Sequence, residues 1–166
     1  IARPMASRCR AMAYLRRLPL VVDDSPALTP SRMRSRLTRA MRKYDRPGQR
    51  ISLVAIDYLQ RMRPDRFFGT SASERSREVG ETMLACVELG KEYGIGFVFG
   101  AQLSRDVGKR TGKDLRPRLS DLAESGDIEK HANQVWGLHR PEYYFPDKAD
   151  VPNELRGKAE VIALKA

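Results

Sequence analysis

Apolar residues in this chain come in short runs without helical spacing, separated by longer segments in which they recur every three or four positions. The longest run, Ile51 to Gln60 (ISLVAIDYLQ), is rich in β-branched and aliphatic residues and is interrupted by one acid, Asp57. A run of this kind predicts a strand buried on both faces of a parallel sheet, with Asp57 at its carboxyl end. Ile95 to Gln102 (IGFVFGAQ) predicts a second buried strand, ending in the polar Gln102. Leu18 to Asp23 (LPLVVD) reads as a short buried strand, and Gln134 to His139 and Lys158 to Lys165 as two more.

Helical patterns fill the intervals. Residues 5 to 17 read as a helix. Thr29 followed by Pro30 has the form of an N-cap with proline at the first helical position, opening a helix to about Tyr44. Arg46, Pro47 and Gly48 break the chain before Ile51. Ser71 and Glu74 have capping-box spacing ahead of a helix that places Val79, Met83, Cys86, Val87 and Gly90 on one face and stops at Gly94. Alternation of strands and helices predicts an α/β domain over residues 1–166, with a largely parallel sheet flanked by helices and any antiparallel strands late in the chain.

That architecture gives the two polar strand ends a meaning. Ligands of open α/β sheets bind beyond the carboxyl ends of the strands, and an acid there can hold a magnesium ion, directly or through water, beside a nucleotide phosphate. If the strands at 51 and 95 are neighbours, Asp57 and Gln102 enter one crevice. An acid for the metal and an amide for the terminal phosphate or the attacking water are the parts of a nucleoside triphosphatase.

Charge adds a second surface. The net charge of +10 lies in the first 50 residues, where thirteen Lys and Arg face only Asp23, Asp24 and Asp45; residues 51–166 hold eighteen of each sign. Arg32, Arg34, Arg36, Arg39, Arg42 and Lys43 crowd one short segment. They suit nucleic-acid phosphates, a neighbouring acidic subunit, or a solvated helix face, and Tyr44 is the one aromatic neighbour for stacking. The 166 residues, 41% of them hydrophobic, suffice for one core. Cys9 and Cys86 form no CxxC pair, which argues against a disulfide framework or a zinc site and fits a reducing cytoplasm. No apolar stretch approaches the roughly 20 residues of a membrane span. The first residue, Ile1, suggests a fragment or a processed chain.

Specific motifs carry a resemblance. ISLVAIDYLQ, GAQLSR at 100–105, RPRLSDLAESGDIEKHAN at 116–133 and LHRPEYY at 138–144 stand in the order and spacing of the C-terminal ATPase domain of DnaB-type replicative helicases. LPLVVDDSPALT at 18–29 and AEVIALKA at 159–166 extend the match over nearly the whole chain. The resemblance implies a RecA-like fold, a hexameric ring in the cytoplasm of a bacterial or phage-infected cell, and ATP hydrolysis with Mg2+ coupled to movement along single-stranded DNA. Primase and a helicase loader are implied as partners.

By the same resemblance, Asp57 corresponds to the Walker B acid that holds magnesium through water, and Gln102 to the strand-end sensor of the γ-phosphate. The segment from Leu103 to Gly126 corresponds to the loop lining the central channel. Its basic residues Arg105, Lys109, Arg110, Lys113, Arg116 and Arg118 suit a polyanion. Glu124 and Gly126 match the family's DNA-gripping segment, whereas Ala123 stands where an arginine is usual. Lys165 corresponds to a lysine that reaches the γ-phosphate of a neighbouring subunit, two positions ahead of an arginine finger.

A phosphate-binding loop requires GxxxxGK followed by Ser or Thr. The four Gly-Lys pairs, beginning at Gly90, Gly108, Gly112 and Gly157, are followed by neither. The chain therefore reads as the C-terminal portion of a motor, inactive without its phosphate cradle. A non-catalytic DNA-binding or ring-assembly module is the alternative, and a recombinase-like ATPase is a third reading that the DLAESGDIE block disfavours. His131 and His139 lack partners at metal-ligand spacing, and Trp136, Tyr143, Tyr144 and Phe145 are better explained by packing than by base stacking.

Overall fold

The computed structural model describes residues 5–66, 69, 71–104, 107, 110, 115–122, 125–145, 147 and 150–166, with the backbone alone for 5–8, 72 and 125. The chain opens with α1 (Met5–Leu15) and α2 (Pro30–Tyr44), then runs through β1 (Leu53–Ile56), α3 (Ala72–Tyr93) and β2 (Gly96–Phe99). It closes with α4 (Ser125–His131), β3 (Val135–His139) and β4 (Glu160–Lys165). β1 and β2 pair in parallel, from Leu53 opposite Gly96 to Ile56 opposite Phe99, with α3 as the crossover between them. β3 and β4 form a separate antiparallel pair, as the sequence led us to expect of the later strands.

The helix boundaries follow from their caps. Thr29 Oγ1 accepts from the Arg32 N–H at 3.4 Å, satisfying one of the donors that a helix start leaves open, and Pro30 occupies the first turn. At α3 the full capping box forms: Ser71 Oγ accepts from the Glu74 N–H at 3.2 Å, and Glu74 Oε2 accepts from the Ser71 N–H at 2.9 Å. Gly94 ends α3 at φ 65°, a left-handed conformation that favours glycine.

The core lies between α3 and its neighbours. Val79, Met83, Cys86 and Leu89 of α3 pack with Met33 of α2, Leu59 and Met62 beyond β1, Leu122, Ile128 of α4 and Val135 of β3. Half-buried Ile56, Phe97 and Phe99 complete it from the parallel strands. Burial raises the Cys86 thiol to about 12, so this sulfur is packing and not a nucleophile.

Two expectations need correction. The strands at 53–56 and 96–99 are covered on one face only: Val54, Ile56, Phe97 and Phe99 are half-buried, while Leu53 is 57% and Val98 51% exposed. Helix α3 packs on one side of this two-stranded ribbon, and none of the described elements covers the other. Residues 18–23 form no strand. Val22 is 77% exposed, and the segment enters no ladder because no described strand lies beside it. β-Propensity is expressed only where a neighbouring edge offers hydrogen bonds.

Asp65 holds the start of α2. Its Oδ2 accepts from the Ser31 N–H at 3.0 Å and from the Ser31 hydroxyl at 2.9 Å. Partial burial pushes this carboxyl up, but hydrogen bonds from Thr29 and Ser31 outweigh it, leaving Asp65 below the usual carboxylate range. A depressed folded-state value means that the stabilisation is complete above the unfolded value and is lost as pH falls through the lower, folded one. Urea titrations between pH 5 and pH 2.5 should therefore show the stability advantage of the native chain over Asp65→Asn shrinking with acidity; a constant difference would remove Asp65 as the anchor.

Candidate functional site

Parallel pairing brings the two polar strand ends together. The ladder continues past β1 and β2: the Gly100 N–H donates to the Ile56 carbonyl at 2.9 Å, and the Leu59 N–H to the Gly100 carbonyl at 2.8 Å. Asp57 thus lies beside Gly100, and a Cβ built on that glycine would sit 3.6 Å from Asp57 Oδ1. Gln102 follows two residues later. Both Asp57 and Gln102 are solvent-exposed at the carboxyl edge of the ribbon, where a ligand can reach them.

Gln60, which the sequence showed only as part of the DYLQ run, ties this edge together. Its Oε1 accepts the Gln102 N–H at 3.3 Å, and its Nε2 is buried without a partner among the described residues. Its backbone carbonyl accepts from Arg75 Nη2 at 2.6 Å, and Arg75 Nη1 is 3.0 Å from Oε2 of the buried Glu78. Helix α3 thereby fixes the turn after β1, and that turn fixes Gln102. A polar residue shortly after a strand gives no sequence signal of such a tie; only the chain crossing reveals it.

Gln102 is two residues from the root of the basic loop. Leu103 bridges Leu122, and the Ser104 N–H donates to the Asp121 carbonyl at 2.7 Å, so the loop leaves and returns at one point beside the strand end. The buried Asp121 organises the returning limb: Oδ2 accepts from the Arg118 N–H at 2.7 Å, and Oδ1 pairs with Arg110. Arg116 meets Glu160 of β4 through two hydrogen bonds, of 2.7 and 2.9 Å. Two of the arginines expected to face a polyanion, Arg110 and Arg116, thus contact acids of their own chain. Arg118 is exposed, and Gly126 lies in the first turn of α4. Arg105, Lys109, Lys113 and Glu124 fall outside the described residues. Lys165 ends β4 on the other sheet, and its Nζ donates to the Glu129 carbonyl of α4 at 2.7 Å.

Among the described residues no group of three or more His, Cys, Asp or Glu could hold a metal. A lone exposed carboxylate fits magnesium, which keeps much of its water and takes one or two carboxylates together with phosphate oxygens.

A parallel ribbon with a crossover helix between its strands, and an acid and an amide beyond its carboxyl edge, has the form of a RecA-like α/β fold. Residues 3–166 match the model of the DnaB-like helicase C-terminal domain, and the chain belongs to that family. It is similar to the replicative DNA helicase DnaB of Rickettsia bellii, 40% identical over 135 residues, covering 81% of this chain and 25% of the relative. The DnaB of Buchnera aphidicola is 35% identical over 148 residues, covering 89% and 29%. The chain thus spans about a quarter of the length of these curated relatives. A DnaB-like replicative helicase whose structure was solved for its interactions with primase superposes with a TM-score of 0.82 at 25% identity, over 99% of this chain and 37% of the other. A second solved structure, of an ATPase domain, superposes with a TM-score of 0.81 at 26% identity, over 96% and 51%.

Proposed function

We propose that these residues are the C-terminal part of a replicative helicase motor that couples ATP hydrolysis to translocation on single-stranded DNA and to duplex unwinding. The observation that carries this reading is the placement of Asp57 and Gln102 at the ends of paired parallel strands, with Gln102 two residues from the root of the basic loop. Asp57 would hold Mg2+ through water, where the ion supplies charge neutralisation to the β- and γ-phosphates. Gln102 would sense the terminal phosphate. Because its N–H is held by Gln60, a shift of its side chain toward phosphate is passed to Leu103, Ser104 and the loop beyond rather than absorbed in the strand.

The loop residues Arg105, Lys109, Arg110, Lys113, Arg116 and Arg118, with Glu124 and Gly126, are the proposed DNA contact. Ala123 leaves a backbone contact there without its usual guanidinium. Lys165 would act toward the neighbouring subunit of a hexameric ring, exchanging its contact with the Glu129 carbonyl for a phosphate. The intact motor works in the cytoplasm, with a primase and a helicase loader as partners; the described residues contain no helix long and apolar enough to cross a membrane. The phosphate cradle comes from chain outside these 166 residues, since no Gly-Lys pair here is followed by Ser or Thr.

Two measurements test this. Calorimetry of the 166-residue chain with Mg-ATP should show no binding, and the longer subunit that contains it should release phosphate faster when single-stranded DNA is added and should displace a strand from a forked duplex. Tight nucleotide binding by the chain alone would overturn the missing cradle, and a longer subunit without ATPase activity would replace the motor with a non-catalytic module that has lost nucleotide binding.

A further inference from the structure

We propose that the exposed face of α2 is a second nucleic-acid surface, separate from the channel loop, that binds the phosphodiester backbone without reading sequence. Arg32, Arg36, Arg39 and Lys43 recur at helical spacing along one stripe of α2, with Arg42 beside it, and all five are exposed. The face buried against the core is a different one, carrying Met33 and Leu37.

The stripe is committed to little within the chain. Arg36 pairs with Asp23 at 2.6 Å, but no acid pairs with Arg32, Arg39, Arg42 or Lys43 among the described residues. Arg34, off the stripe, is the arginine that ties α2 to α3, through Glu92 at 2.5 Å. Anchoring to α3 is thus assigned to Arg34, and Arg32, Arg39, Arg42 and Lys43 have no acid among the described residues. Surface arginines kept solely for solubility are ordinarily interspersed with acids, and α2 contains none from Pro30 to Tyr44.

The direction of α2 separates this surface from the loop. Ser31 is bound to Asp65 beyond the carboxyl end of β1, whereas Thr38 Oγ1 is 2.8 Å from the Tyr93 hydroxyl in the last turn of α3, so α2 runs from the site edge toward the opposite end of the ribbon. From Arg32 to Lys43 the stripe spans about 16 Å at about 1.5 Å per residue. That is long enough for about four phosphates of one strand at about 3.4 Å each. Guanidinium groups favour phosphate over solvent by planar, paired hydrogen bonding, and their long side chains can follow a backbone of variable shape. Tyr44, the aromatic that follows Lys43 at the end of α2, is engaged by Lys43, 5.0 Å from the ring centroid, so contact is with backbone and not with stacked bases.

The test is fluorescence anisotropy of the chain with a fluorescein-labelled dT12 and with a labelled duplex of the same length, at several salt concentrations. In one variant Arg32, Arg39, Arg42 and Lys43 are each changed to Gln. In a control the same charge is removed elsewhere on the surface, by Arg16→Gln, Arg17→Gln, Arg61→Gln and Lys158→Gln. The helix variant should bind at least tenfold more weakly, with a salt slope reduced by about 2 to 3 for the single strand, at roughly 0.7 per lost contact. The control should stay within about threefold of the native chain, as screened distant charges do. Loss on either oligonucleotide supports the surface and tells which form it holds. Equal loss in both variants would reduce the effect to net charge and overturn the proposal. So would a polyglutamate peptide that binds the native α2 face more tightly than dT12 at matched salt, since the face would then be a dock for an acidic protein.

Discussion

Asp57→Asn in the longer subunit should lower the turnover number for ATP by roughly a hundred- to a thousandfold, the scale on which loss of one preorganised electrostatic contact in an active site is felt. Asparagine keeps the size of the side chain and an oxygen at the same position, so the space beside Gly100 stays filled. What it removes is the negative charge proposed to draw the metal and its water shell to the strand end. Among the described residues no group of three or more His, Cys, Asp or Glu that could hold a metal surrounds Asp57. The side chain is exposed and takes no part in the core, so thermal stability should change by less than about 0.5 kcal/mol. Steady-state phosphate release with Mg-ATP, set beside nucleotide affinity and a melting curve, separates these effects. Turnover within about tenfold of the native value would assign the metal to another acid and remove Asp57 from the site.

Asp57 could be found in the sequence because two local signals coincide there: a run with no helical period, and a charge where that run ends. An uncharged polar residue at the end of the next such run marked Gln102, and the parallel ladder from Leu53–Gly96 to Ile56–Phe99 sets Asp57 beside Gly100, two residues before it. The helix starts at Thr29 and Ser71 were legible for the same reason, since a cap is a contact between residues three apart. What could not be read depends on distant partners. The apolar run at 18–23 has the composition of a strand, but an edge to pair with is a property of the assembled fold. One-sided burial of Leu53 and Val98 likewise depends on which elements cover the ribbon. The Arg116–Glu160 pair joins residues 44 apart, and the Gln60–Gln102 bond residues 42 apart. Neither leaves a mark in spacing, so a basic loop looked uniformly available to a polyanion when part of its charge serves to close it.

That closure makes Asp121→Ala the substitution with the largest expected effect on the loop. Asp121 is 6% exposed, and it is held at four points: its carboxylate accepts the Arg118 N–H and pairs with Arg110, its carbonyl accepts the Ser104 N–H, and its N–H donates to the Arg118 carbonyl. Alanine leaves the backbone bond to Ser104 in place but removes the acid opposite Arg110, whose Nη1 keeps, among the described residues, only the Arg116 carbonyl at 3.3 Å, and strands the Arg118 N–H. Breaking one side of a buried pair costs about 3 to 5 kcal/mol. Because the Arg110 side chain is 26% exposed and can turn to water, a loss of about 2 to 3 kcal/mol is expected in urea denaturation. Asp121→Asn should lose less, since an amide oxygen can still accept from Arg118. If the carboxylate sets the loop for DNA, affinity for dT12 should also fall in the Asn variant, whose fold is nearly intact, although the substitution raises the net positive charge. Charge alone would strengthen binding to a polyanion, so the two accounts predict opposite signs. Weaker binding by Asp121→Asn identifies ordering of the loop as the function of this pair; tighter binding would show that Asp121 only withholds Arg110 from the nucleic acid.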